Sequence, residues 1–221
     1  MNRFLAAAAA ICIALFSSGA HPETARELTW QELAPPMAKF DDPFVTLSPE
    51  QKIDLATVSV VRQLQARNDP ALGPEQMKSY NETLERLNKA KVDVDGLLAR
   101  RGEIMEKRRR EAEAVNEKLN GQRVRMPGYV LPLEMDGKRV TEFLLVPYVG
   151  ACIHAPTPPA NQIVHVKHAK GFEAAGLFAP VWVQGVMRTV RSEPKLNLVD
   201  GAANIPTGYA LDAQTVEPYR E

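Results

Sequence analysis

Cysteine is almost missing from this sequence. Only two occur in 221 residues, and Cys12 lies in an N-terminal apolar run that is expected to be removed. The mature chain then keeps Cys152 as its only thiol, which excludes an internal disulfide. Net charge is missing too: 27 Lys and Arg balance 27 Asp and Glu, so no overall field draws the molecule to nucleic acid or anionic lipid. Beyond the leader, no apolar run approaches the roughly 20 residues that a membrane-spanning helix needs. Gly-x-Ser-x-Gly, His-Glu-x-x-His, a phosphate-binding loop, Cys-x-x-Cys and internal repeats are all absent. With no recognised catalytic motif, the expectation is a non-enzymatic protein.

What is present begins with a leader. Met1-Asn2-Arg3, the apolar run Phe4 to Phe16 and Ser17-Ser18-Gly19-Ala20 have the cationic, apolar and small-residue parts of a signal peptide. Cleavage is expected after Ala20, and export to the periplasm follows. Ile11 before Cys12 argues against a lipoprotein acylation site. A lone thiol in an oxidising compartment is buried, bound to metal or open to mixed disulfides.

Composition divides the remainder into three regions. Residues 21–47 form an irregular arm rich in Pro and acids, with Trp30, Leu33 and Phe44 placed to pin it to the body. Residues 48–120 carry helical signals. Ser48-Pro49-Glu50-Gln51 combines an N-cap, a first-turn Pro and a capping Gln. Ile53, Ala56, Val60 and Leu64 recur on one face, and the helix should stop near Asn68-Asp69-Pro70. Gly73-Pro74 opens a second helix with a heptad-like series from Met77 to Leu119, weakened near Asp93-Val94-Asp95-Gly96 and expected to kink or divide there. The pattern predicts a helical hairpin whose uncovered seam meets a partner. The basic run at Arg100-Arg101 and Lys107 to Arg110 is expected to be a solvated face balanced by nearby Glu residues.

From residue 121 to 221 the texture is β. Strands are predicted at 124–134, 140–148, 162–168, 181–190 and 209–216, with an Asp136-Gly137 hairpin turn. The fold class is α+β: an N-terminal helical hairpin followed by a small, mostly antiparallel β-barrel of the OB type.

The segment with the most chemical promise is Gly150-Ala151-Cys152-Ile153-His154, followed by a Pro-rich bend and Asn161-Gln162. Two residues apart in extended chain, Cys152 and His154 project from one face. Thiolate with imidazole suits Zn²⁺ or copper. His165 and His168 are the further candidate ligands, although a regular strand turns them to opposite sides. Asn161 and Gln162 are placed to satisfy backbone groups beside prolines, which cannot donate.

The chain resembles the DUF3299 family of exported bacterial proteins. The resemblance rests on Gly128 to Glu134, Phe143 to His154 and Pro156 to Gln162, with support from Trp30 to Pro35 and Val181 to Gly185. Thr157 interrupts the proline run, and Val149 replaces a common aromatic. The resemblance implies an accessory role beside ABC-type envelope transporters, sometimes linked to metal supply. Three readings stay open: a metal-presenting accessory protein holding zinc, a pure interaction module with a structural Cys-His loop, and a thiol-dependent enzyme.

Overall fold

A computed structural model describes residues 24–153, 155–198 and 201–220. The expected leader with Cys12, and His154, lie outside the described residues. In chain order the arm holds β1 (Arg26–Glu27) and a short 3₁₀ turn (Trp30–Leu33), and three helices follow: α1 (Pro49–Ala66), α2 (Pro74–Lys89) and α3 (Val94–Glu113). The β part comprises β2 (Arg123–Asp136), β3 (Arg139–Val146), β4 (Val164–Phe172), β5 (Pro180–Arg188), β6 (Lys195–Leu198), β7 (Gly201–Asn204) and β8 (Tyr209–Pro218).

Five of these strands close into a barrel. Neighbours run β2-β3-β4-β8-β5, and β5 pairs back to β2. Only the β4–β8 pair among them is parallel, Val164 lying opposite Tyr209. Alternation assigns the interior. Val124 and Met126 of β2, Phe143 and Leu145 of β3, Val164 and Val166 of β4, Val183 of β5 and Leu211 of β8 belong to one buried cluster. The arm and the segment after α3 add to it: Leu28, Leu33 and Leu119 join the cluster, with Trp30 packed against it. At Gly128 a β-carbon would stand 2.9 Å from the Trp30 ring and 2.7 Å from Leu145 Cγ. Glycine lets the indole lie on the strand, where its Nε1–H donates to Pro127 O at 2.9 Å.

Part of the outer face of the barrel wall is also buried. Leu131, Leu144 and Val146 point outward there, under Ala151 and Ile163 from the β3–β4 connection and Leu196 and Ile205 beside the small β6–β7 ribbon. This ribbon was not expected from the sequence, because each strand is only four residues long.

The second helix divides where the sequence weakens, as expected, so the region holds three helices. Lys91 adopts φ 55°, and Asp93 caps a new helix by accepting the Gly96 N–H at 3.0 Å. The long second helix is therefore divided into α2 and α3. The N-cap at Ser48 forms as expected, Ser48 Oγ accepting from Gln51 N at 3.2 Å while Gln51 Oε1 accepts from Ser48 N at 2.8 Å. The expected apolar face of α1 is corrected. Leu55, Val58 and Val61 are buried, whereas Ile53 and Val60 are 67% and 55% exposed. Leu55 and Val58 pack with Leu87 of α2 and Leu97 of α3, so the neighbouring helices select a different stripe of α1.

Candidate functional site

The β3–β4 connection is a tight, internally bonded turn. Gly150 O accepts both Ile153 N–H at 3.1 Å and Ala155 N–H at 2.9 Å. Gly150 and Cys152 have φ 84° and 67°, so Cys152 sits in the left-handed region rather than in an extended strand, which removes the premise of the alternating-face argument. The thiol is half-buried against the outer-face cluster. Burial pushes its pKa up, opposed by a hydrogen bond with Thr157. A thiol held in its protonated form is a poor nucleophile.

The far end of the same connection works as a clasp. Asn161 Nδ2 donates to Glu111 O at 2.7 Å and Ala114 O at 2.8 Å, two carbonyls at the C-terminal end of α3. Gln162 Nε2 donates to Trp30 O at 3.1 Å in the arm. The amides do satisfy backbone groups, three of them in the helical region and the arm, and Gln162 Nε2 also donates to Asn161 O at 3.1 Å beside the bend.

The two described histidines part company. His168 points toward the barrel interior, its Nδ1 3.1 Å from Ala213 O and its ring tilted against Phe172. His165 lies on the outer face, opposite Leu144. Its Nε2 is 2.6 Å from Glu142 Oε1 and its Nδ1 is 3.1 Å from Ser192 Oγ. Cys152 and His165 thus share the outer layer and His168 does not. Among the described residues, no three His, Cys, Asp or Glu side chains are grouped as a metal site.

Glu142, Ser192 and Thr207 were not singled out by sequence reasoning. Ser192 Oγ is 2.8 Å from Thr207 Oγ1, and the two residues also exchange backbone bonds. The one local signal was a carboxylate at position 142, directly before the apolar run Phe143 to Val146. Ser192 and Thr207 had none, since they lie in irregular segments flanking the ribbon.

On the helical side, α1, α3 and the arm enclose a groove of about 620 Å³. Leu55, Val60, Leu98 and Met105 supply its apolar wall, and Lys52, Arg101 and Arg108 its cations. Met105 is 52% exposed and Val45 68%. Most of the basic run is neutralised as expected. Lys107 pairs with Glu103 at 2.6 Å, Arg108 with Asp42 at 2.6 Å, and Arg109 and Arg110 with Glu106 at 2.8 Å. The bonds from Arg109 and Arg110 lower the Glu106 pKa to about 2. Lys52 and Arg101 have no carboxylate partner among the described residues, and both border the groove.

The model of DUF3299, a family described as a protein of unknown function, matches residues 30–218. No protein of curated function matches the chain. A solved structure similar to it is that of a DUF3299 family protein from Pseudomonas aeruginosa PAO1, 29% identical, covering 89% of this chain and 97% of that one, with a TM-score of 0.49.

Proposed function

Because the chain belongs to the DUF3299 family, whose resemblance implies an exported accessory role, we propose that it docks on an envelope partner through the α1–α3 groove. The observation that carries this reading is an apolar channel bordered by two cations, Lys52 and Arg101, that have no carboxylate of their own among the described residues. A groove between helices is suited to an amphipathic helix. The cations select one with acidic flanks, because like charges at the rim are repelled. The occupant is therefore an acidic, apolar-faced helix of a periplasmic or membrane-bound transport component.

The barrel supports the same division of labour. The strand order, with β4 and β8 parallel, fits an OB-type Greek-key barrel, which binds ligands on the outer face of its second and third strands. Here that face, on β3 and β4, is covered by the chain's own loop and ribbon. Recognition is thereby moved to the helices, with the barrel as scaffold.

The test uses the whole mature chain and two synthetic helices of identical apolar face, one with Glu flanks and one with Lys flanks. Fluorescence anisotropy is expected to show binding of the acidic peptide alone, weakened by salt and lost in Lys52→Glu/Arg101→Glu. Equal binding of both peptides, or no effect of the charge reversal, would refute the assignment.

A further inference from the structure

The outer face of the barrel holds a second polar constellation that docking does not use. We propose that Glu142, His165 and Ser192 form a proton relay that makes Ser192 a nucleophile toward carboxylic esters. Its members come from separate parts of the chain: Glu142 from β3, His165 from β4 and Ser192 from the β5–β6 connection. Convergence of this kind is what a nucleophile and its base require.

The relay uses the neutral tautomer with its proton on Nε2. The Glu142 carboxylate only accepts, so at 2.6 Å it takes the Nε2–H of His165. Nδ1 is then the bare nitrogen, and it accepts the Ser192 hydroxyl proton at 3.1 Å. Thr207 Oγ1 lies 2.8 Å from Ser192 Oγ, in a contact that either hydroxyl can donate, and 3.2 Å from Ser192 O, to which it can also donate. Lys167 Nζ stands 3.5 Å from the second Glu142 oxygen, giving the carboxylate a cation on its outer side. The ring itself is only 8% exposed, so water competes little for either nitrogen. The imidazole is turned end for end relative to the usual serine-hydrolase arrangement, but either ring nitrogen can act as base when the other is held by an acid.

Ser192 is half-buried and, with Thr207, lines a groove of about 540 Å³. This volume lies within the range of small-molecule sites. Pro158, Pro159 and Ala160 form an apolar wall for an acyl group, and Arg109 and Arg191 a polar one. Both guanidinium groups are bonded to Glu113, at 2.8 and 3.0 Å, and Glu193 also lines the groove, so two cations face two carboxylates and the wall suits an uncharged ester.

In the step, Ser192 Oγ forms a bond to the ester carbonyl carbon as its proton passes to His165 Nδ1, and Glu142 stabilises the imidazolium. The carbonyl carbon–alkoxy bond then breaks, and the departing alcohol takes the proton from Nδ1. Water attacks the acyl-serine by the same route, with His165 taking its proton and returning it to Ser192 Oγ. The sum is ester plus water giving carboxylic acid plus alcohol.

The test treats the folded mature chain with an alkyl fluorophosphonate and maps the adduct by peptide mass spectrometry. Phosphonylation is expected at Ser192 with loss of fluoride, absent after heat denaturation and absent in Ser192→Ala. General-base assistance contributes roughly 100-fold or more, so His165→Gln and Glu142→Gln, each shown to melt as a folded protein, should label at least that much more slowly. A folded wild-type chain that takes no label at Ser192 overturns the proposal. So does labelling whose rate is the same in Glu142→Gln, a substitution that keeps the side-chain shape if His165→Gln does not fold. Charge reversal at Lys52 and Arg101 should leave the labelling rate unchanged, which separates this site from the docking groove.

Discussion

Tyr209 is the point at which the arm, the segment after α3 and the barrel meet, and its hydroxyl is the most informative single oxygen to remove. The ring is fully buried in the barrel cluster. Its O–H donates to Leu33 O, and its oxygen accepts the Asn116 N–H at 2.6 Å. Tyr209→Phe keeps the ring and strands both backbone groups at once. An unpaired buried polar group costs about 1–3 kcal/mol, so two of them, partly relieved by small shifts, predict a loss of about 2–4 kcal/mol. For a chain of this size each kcal/mol lowers Tm by about 2–4 °C, giving a fall of about 4–16 °C. Tyr148→Phe is the control. Its hydroxyl donates to Pro156 O at 2.7 Å from a ring 40% exposed, and water can replace it. Burial also raises the Tyr209 pKa, against the Asn116 bond and with help from Glu117. A proton held more tightly in the folded state stabilises below the unfolded value near 10 and is lost as pH rises through the folded one. The advantage of the wild type over Tyr209→Phe should therefore shrink in strongly alkaline solution. Melting followed by circular dichroism decides the matter: a Tyr209→Phe shift no larger than that of Tyr148→Phe would refute the reasoning.

Two further outcomes concern the β3–β4 connection. Asn161→Ala leaves the Glu111 and Ala114 carbonyls without the amide that reaches them. The expected cost is about 1–3 kcal/mol, and hydrogen exchange should accelerate in the last turn of α3 but not in the amides of β2 and β5. Cys152, whose pKa is raised mainly by burial, should react with iodoacetamide more slowly than a free thiol at pH 7, and its rate should still be climbing above pH 9, near the ordinary thiol value. A rate that levels off by about pH 8 would mean that the thiolate is stabilised and would reopen thiol chemistry. Any Zn²⁺ bound through Cys152 must displace the same proton, so uptake should strengthen with pH over the same range.

The barrel strands were legible because a closed wall with one face on the core imposes period two. Val124, Met126 and Val130 state that period within β2, and the other four predicted strands lie within a few residues of those observed. Phase along a helix is harder. On α1, Ile53-Ala56-Val60 and Leu55-Val58-Val61 both recur at helical spacing, and only the placement of Leu87 and Leu97 decides which set is buried. That placement depends on where the second helix divides, and the break at Ala90–Asp93 has Lys91 rather than glycine in the left-handed region. The Glu142–His165–Ser192 chain was invisible for another reason. Its members are 23 and 27 positions apart, and their meeting is set by strand register and by a ribbon too short to announce itself.

The longest motif in the sequence gains a different meaning from this geometry. It drew attention as chemistry, through Cys152 and His154, yet the part described most fully is mechanical. Asn161 holds the end of α3, Gln162 holds the arm, Ile163 enters the outer-face cluster, and Ala160 O accepts the Gly208 N–H at 2.6 Å beside β8. One short connection therefore ties helices, arm and barrel together, and it also forms the proline wall of the groove at Ser192. The last turn of α3 contributes Arg109 and Glu113 to that groove, while Arg101 and Met105 higher on the same helix line the docking channel. A partner helix that shifts α3 would pull on Asn161 and so on the wall beside Ser192. On the two proposals above, channel occupancy and Ser192 labelling are expected to be coupled through α3 and the two Asn161 hydrogen bonds, and Asn161→Ala should remove any effect of the acidic peptide on the labelling rate.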